Sequence, residues 1–334
     1  MKCREYNYDK LRTVCCLSVI LQHIASLYTE NVGQIFTYPR YYFAFADFLQ
    51  MITRFAVPCF VMLSGAFVLE KYDGNVLSFY LKSIKKIVIP TVVFSLIYIL
   101  YRLFTKATFK QILLDTLRGV PTGHMWYMYM IIGMYAIIPL VSIIIRKCST
   151  KHIIILNILL IIVGICCHFM LKLIWPFQWI EYLGYLVTGY NIKKNIGQIQ
   201  VNRRMSLWFA MFIYLFIYLL NEYSLYRGEY IPSLYRHPNF PLVVIGSICF
   251  FYYFAKSEMK IRKIVTIISA KSFTIYMCHP LIYASIHWIV IRVFNRMPNP
   301  IWYIPILFIV TTLVSIVFSI FYDKLSNRIL YKEK

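Results

Sequence analysis

Ten residues separate Arg12 from His23 in a stretch that opens Asp9-Lys10-Leu11-Arg12, runs apolar, and reaches Gln22-His23-Ile24. On a helix the two lie roughly 16 Å apart along the axis. If this stretch crosses a membrane, Arg12 sits at one surface and His23 well inside the lipid. An ionisable group at that depth is costly to hold and marks a functional candidate. Imidazole titrates near neutral pH, so it can take a proton from a hydroxyl and return it. The plainer reading makes His23 a hydrogen-bonding residue of helix packing. Arg12 taken alone reads as a topology signal at a helix end.

Other residues carry possible chemistry inside apolar stretches. Arg54 precedes Phe55-Ala56-Val57-Pro58 and a small Ser64-Gly65-Ala66 run. The proline frees a backbone carbonyl, which neighbours or water must satisfy, and the small run permits close helix approach. Arg54 reads either as functional or as snorkelling to headgroups. His124 opens the aromatic run Met125-Trp126-Tyr127, an interfacial belt in which His124 is a surface residue by default. Tyr276 and His279 lie in an apolar segment, and Pro280 follows; a histidine there forms part of a site or satisfies the carbonyl the proline frees. Glu181 is an acid in a short apolar segment, expected to pair with an arginine or histidine.

The elements that must hold these residues are membrane helices. Of 334 residues, 60% are hydrophobic and only 14% charged, against about 25% charged in soluble domains. Mean hydropathy is +0.65. The net charge of +22 would suggest nucleic acid in a soluble protein, but the basic residues cluster in short loops between apolar runs. Anionic lipid headgroups are the expected partners, and nucleic acid is not. The 29 tyrosines suit interfacial belts. Nine cysteines, including Cys3, show no CxxC spacing; they read as small buried apolar residues, with no disulfide framework or metal site.

About ten spans are expected, near 11–29, 47–69, 84–104, 124–145, 152–171, 177–192, 205–222, 240–255, 273–293 and 301–322. The sixth and eighth are short for a bilayer that needs about 20 residues. Most of the 35 basic residues then fall on one side, from Lys2 and Arg4 through Lys82, Lys85, Lys86, Lys193 and Lys260 to Lys332 and Lys334. That bias predicts an all-α polytopic protein, both termini cytoplasmic, with the whole chain as one membrane domain. The first apolar run reads as a retained helix, because no cleavage pattern follows it. Outer loops are expected at 31–42, 105–123 and 223–239, the last carrying Arg227, Glu229, Arg236 and His237.

Four segments together resemble the membrane-bound acyltransferase 3 family across essentially the whole chain. Arg12 and His23 are similar to its Arg-x10-His signature. Arg54 to Gly65 resembles its second-helix pattern. His124-Met125-Trp126-Tyr127 resembles its His-Leu-Trp-Phe element. Ser272 to Pro280 resembles its late Ser-x-x-Ile-Tyr-x-x-His-Pro element. The resemblance implies a ten-helix bacterial cell-membrane enzyme that moves an acyl group, acetyl or succinyl, from cytoplasmic acyl-CoA to a hydroxyl of an envelope or exported glycan. No bound cofactor is implied; acyl-CoA, acetyl-CoA first among its forms, is the expected co-substrate. It makes His23 the catalytic residue, as general base or acyl carrier, and sets Arg12 and Lys10 on the CoA phosphates. Asp9, one turn before Arg12, joins the catalytic set by orienting it. Arg54, His124 and His279 carry over as pocket residues; Ser64, Trp126 and Tyr276 of the same segments, and Glu181 as the remaining acid in a span, join the pocket or acceptor set. Many relatives append a soluble domain; this chain ends soon after its tenth span and reads as a one-domain member.

Two other classes compete. A transporter or flippase for a polysaccharide or lipid-linked sugar also needs polar intramembrane residues, but would more often show paired halves with matched broken helices. A ligand sensor would be expected to carry an attached soluble domain. Neither acceptor identity nor oligomeric state is readable from the chain.

Overall fold

The computed structural model describes residues 5–30, 39–104, 108–173, 176–228, 234–258 and 262–330, and among them every regular element is helical. Cys3, Lys2, Arg4, Glu229, Lys260, Lys332, Lys334 and most of the expected loop 31–42 lie outside the described residues. The helices are α1 (Tyr6–Ser26), α2 (Arg40–Ile52), α3 (Ala56–Ser64, continued as a π-turn over Gly65–Leu69), α4 (Val76–Phe104), α5 (Phe109–Leu117), α6 (Trp126–Lys147), α7 (Thr150–Leu171), α8 (Leu183–Asn195), α9 (Arg203–Tyr226), α10 (Pro241–Ala255), α11 (Lys263–Phe294) and α12 (Pro300–Leu330).

Each expected span falls on a helix or helix pair, and among the described residues seven are long and apolar enough to cross a membrane. This is a multi-pass membrane architecture. The segments on α1, α8 and α10 do not meet that measure: α10 is short, and α1 carries too many polar side chains. Large apolar residues lie exposed along the spans, among them Leu96 and Leu100 on α4, Ile155 and Ile162 on α7, Trp208 and Phe212 on α9, and Leu313 and Val317 on α12. In water such stripes would be unfavourable; lipid tails solvate them.

Local chemistry sets the helix ends. The side chains of Asn75, Thr108, Ser149 and Asn202 each accept a backbone N–H of the first turn that follows, satisfying donors that have no partner within the helix. Asn295 closes α11 in the left-handed conformation (φ 49°).

The chain forms two compact units, Met1–Phe60 with Ile196–Lys334, and Val61–Asn195. In the first, α1 is central and touches α2, α10, α11 and α12. Its core gathers Cys16, Ile20, Ile24 and Ala25 of α1 with Ala46 of α2, Ile268 and Ile275 of α11, and Tyr303, Ile304 and Leu307 of α12. In the second, α7 packs on α8, and α8 on the π-turn after α3. There Gly65 lies against the Leu186 backbone and Gly189 against the Met62 backbone, so closely that a β-carbon on either would overlap main chain. The small Ser64-Gly65-Ala66 run thus does what its composition suggested.

The second expected span differs from a single helix. α2 ends at Ile52 and α3 starts at Ala56. Pro58 has no N–H to donate back to Arg54, so a continuous helix would lose that bond. The interruption is used: Thr53 Oγ1 donates to the Leu49 carbonyl at 2.7 Å, and the Thr53 carbonyl, freed from the helix ladder, accepts Gln22 Nε2 of α1 at 2.6 Å. The cysteines also differ in part from expectation. All eight described are free thiols, but Cys166 is exposed and Cys148 and Cys249 are half-buried.

Candidate active site

The first unit brings His23 of α1 against His279 of α11, residues 256 positions apart. His23 Nδ1 lies 2.8 Å from His279 Nε2. The rings are nearly parallel, 8° apart in plane, with centroids 5.1 Å apart. His279 is fully buried and His23 half-buried. His279 Nδ1 lies 3.1 Å from the Ile275 carbonyl.

These contacts fix the protons of the neutral pair. A carbonyl oxygen only accepts, so His279 Nδ1 carries the hydrogen. His279 Nε2 then offers its lone pair, and His23 Nδ1 must donate to it. His23 is held in the tautomer whose lone pair is on Nε2. This is the logic by which a second group orients a catalytic imidazole. The carbonyl that Pro280 frees is that of Tyr276, four residues earlier; His279 engages the one before it. The buried Tyr276 ring stands 5.8 Å from the His279 ring.

Around the pair, Gln22 is pinned by Thr53, and Gln50 Nε2 of α2 donates to the Gln22 carbonyl at 3.3 Å. Arg54 Nη2 donates to Gln50 Oε1 at 3.2 Å. The Arg54 side chain is half-buried. Arg54 therefore faces the centre of this unit and does not snorkel away from it.

At the other end of α1, Asp9 Oδ1 accepts Ser269 Oγ of α11 at 2.6 Å and faces Arg12 Nη1 at 3.5 Å; Arg12 Nη1 also donates to Ser269 Oγ at 3.3 Å. The i,i+3 pairing expected of Asp9 and Arg12 is present. Asp9 lies about 21 Å along α1 from His23, so its chemistry is confined to the Arg12 end. Lys10 is half-buried beside it.

Ser64, His124, Trp126 and Glu181 belong to the second unit. His124 is buried, contrary to its expectation as a surface residue: Thr122 Oγ1 lies 3.2 Å from its Nδ1, and the Tyr98 ring meets it edge-on at 4.6 Å. The Tyr98 ring of α4 covers the imidazole. Trp126 packs 5.7 Å from the Tyr182 ring. Glu181 is buried, with Oε2 3.6 Å from His168 Nδ1; its partner is a histidine the sequence did not single out.

Sequence reasoning also missed a polar cluster in the first unit. Asp47 and Asn221 are fully buried and Arg236 nearly so. Arg236 Nη2 reaches Asp47 Oδ1 at 2.5 Å, and Asn221 Nδ2 donates to Asp47 Oδ2 at 2.8 Å. Arg236 was expected in an exposed loop; the chain after α9 returns it to α2. The available signal was the placement of acids at the ends of apolar spans, Asp47 opening the second and Glu222 closing the seventh.

Against known proteins, the family model Acyl_transf_3, described as an acyltransferase domain, matches residues 5–320. The chain belongs to this acyltransferase family. The match takes in every candidate residue above and accords with the resemblance of the four motif segments. A comparison with curated proteins and one with solved structures each found no match. In this multi-pass membrane acyltransferase, the described residues of the first unit include a pair whose geometry suits proton transfer, His23 and His279.

Proposed function

We propose that the chain is an O-acyltransferase that moves an acyl group, acetyl or a close relative such as succinyl, from acyl-CoA to a hydroxyl of a cell-envelope or exported polysaccharide. The observation that carries this reading is the oriented imidazole of His23 in a member of an acyltransferase family. His23 Nε2 takes the acceptor hydroxyl proton. The oxygen attacks the thioester carbonyl carbon, the C–S bond breaks, and the proton on His23 passes to the departing CoA sulfur. The step is written as general-base catalysis; the same Nε2 lone pair would also serve an acyl-histidine intermediate.

Arg12 and Lys10 hold the CoA phosphates at the cytoplasmic end, where a guanidinium suits phosphate oxygens. The separation of Arg12 from His23, roughly 16 Å along α1, suits the extended pantetheine arm. Asp9 and Ser269 hold Arg12 in place. Arg54 and Tyr276 complete the pocket on the His23 side. We assign Ser64, His124 and Trp126, on the strength of their motif positions, and Glu181, as an acid in an apolar segment, acceptor roles within the second unit. The protein is read as one membrane domain of ten spans, with both termini in the cytoplasm of a bacterial cell.

The test is single-turnover loss of labelled acetyl-CoA and succinyl-CoA by purified protein in detergent supplied with a panel of saccharide acceptors, wild type beside His23→Ala. Thioester loss in the wild type, slowed by at least about 100-fold in the variant, is expected for removal of a general base. Folded protein with equal rates in both would overturn the scheme.

A further inference from the structure

We propose that Asp47, Asn221, Glu222, Arg236 and Arg40 form a saccharide-binding subsite, a reading that rests on the acyltransferase proposal for its purpose. The buried core is the Asp47–Arg236 ion pair with Asn221 donating to the second Asp47 oxygen. Two oxygens are left over. Asn221 Oδ1 and Glu222 Oε1 are buried and accept no hydrogen bond among the described residues. The other Glu222 oxygen faces Arg40 Nη2 at 3.8 Å, and the Arg40 side chain is 60% exposed. Buried acceptors are normally satisfied, so two in adjacent residues ask for a donor.

The charge balance selects the ligand class. Two carboxylates stand beside two guanidiniums. The guanidiniums disfavour a metal cation and the carboxylates disfavour an anion. A neutral polyol fits: its hydroxyls donate to Asn221 Oδ1 and Glu222 Oε1 and accept from the arginines. Aromatic rings border the cluster. Phe43 lies under Arg236 at 5.7 Å, and Phe48 meets Tyr218 at 5.4 Å. A few convergent polar groups among apolar walls are the usual make-up of a small-molecule site.

Position links the cluster to the chemistry. α1 and α2 run antiparallel, with Gln22 beside Gln50 and Thr53, and Tyr28 beside Tyr42. Asp47 precedes Gln50 by three residues, about 4.5 Å of rise. The cluster therefore lies about one helical turn from the level of His23, on the side away from Arg12. A sugar held there presents a hydroxyl toward His23 while acyl-CoA approaches from the opposite end of α1.

The test reads binding alone, without acyl-CoA. Methyl glycosides of glucose, galactose, mannose and N-acetylglucosamine are titrated into purified protein in detergent, followed by thermal shift and intrinsic fluorescence. Saturable binding of at least one is expected. Glu222→Leu removes the acceptor oxygen and should raise its half-saturating concentration by about 10-fold or more, with Glu222→Gln, which keeps an oxygen, in between. Size-exclusion profiles check folding. If Glu222→Leu cannot be purified, Glu222→Gln decides, with about a threefold loss expected. Wild-type protein that binds none of the four, or variants that bind as the wild type does, overturn the proposal and leave the cluster a structural pin. Binding without any thioester loss would keep the subsite and remove the acyltransferase reading.

Discussion

Replacing His279 by leucine is the sharpest probe of how His23 is prepared. The substitution keeps the volume of a fully buried side chain but removes both nitrogens. The Ile275 carbonyl loses its side-chain donor, and His23 Nδ1 loses the acceptor 2.8 Å away. Two effects bound the rate. A neutral hydrogen bond of this kind contributes about 0.5–1.5 kcal/mol, and about 1.4 kcal/mol is a factor of ten in rate. Loss of orientation alone therefore lowers the single-turnover rate roughly 2- to 10-fold. Loss of the general base altogether costs about 10²–10⁴-fold. His279→Leu should fall near the tenfold level, well above His23→Ala. His279→Gln supplies an amide oxygen that can accept from His23 Nδ1, so it should recover much of the loss. The assay is rapid-quench acetyl-CoA cleavage at saturating acceptor, with CoA affinity measured separately to show that binding is not what changed. A folded His279→Leu protein at wild-type rate would refute the orientation argument. Leucine and glutamine variants slowed equally would refute it too, because shape and not hydrogen bonding would then be at stake.

Two further outcomes follow from geometry already described. Arg12→Ala should raise the KM for acyl-CoA about 10-fold with a smaller change in kcat, since a phosphate contact far from the reacting atoms acts in the ground and transition states alike; steady-state kinetics across acyl-CoA concentrations checks it. Gly65→Val should destabilise the protein by about 1–3 kcal/mol or more, because a β-carbon there meets the Leu186 main chain and nothing flexible can yield; a lowered melting temperature in detergent, with monodisperse protein lost, is the expected result.

What the amino-acid order revealed and what it hid divide along a physical line. The spacing of Arg12 and His23 is a property of one helix, and helical rise converts it directly to distance. The close approach at Gly65 was also readable, because small residues have one main use in a membrane helix. The resemblance set His23 and His279 in one pocket, but their direct contact was not readable, since no local rule joins residues 256 positions apart. The same applies to Arg236 and Asp47: an arginine in a polar loop reads as exposed until tertiary structure turns the loop inward. His124 was misjudged for a related reason. Its aromatic neighbours looked like an interfacial belt, whereas Tyr98 from another helix covers it.

Hydropathy underrated α1, and the reason bears on function. Asp9, Arg12, Thr13, Gln22, His23 and Ser26 make it too polar to face lipid. Each has a partner inside the first unit: Ser269 for Asp9 and Arg12, the Val265 carbonyl for Thr13, the Thr53 carbonyl for Gln22, His279 for His23, and the His23 carbonyl for Ser26. Polar backbone and side-chain groups in a membrane are tolerated only when satisfied by protein or water. A helix with this many must lie at the centre of its bundle, and α1 touches four neighbours there. The polarity that sets it apart from the lipid-facing helices is thus what the proposed site requires of α1: a guanidinium at one end, an oriented imidazole towards the other, and partners from α2 and α11 to hold both.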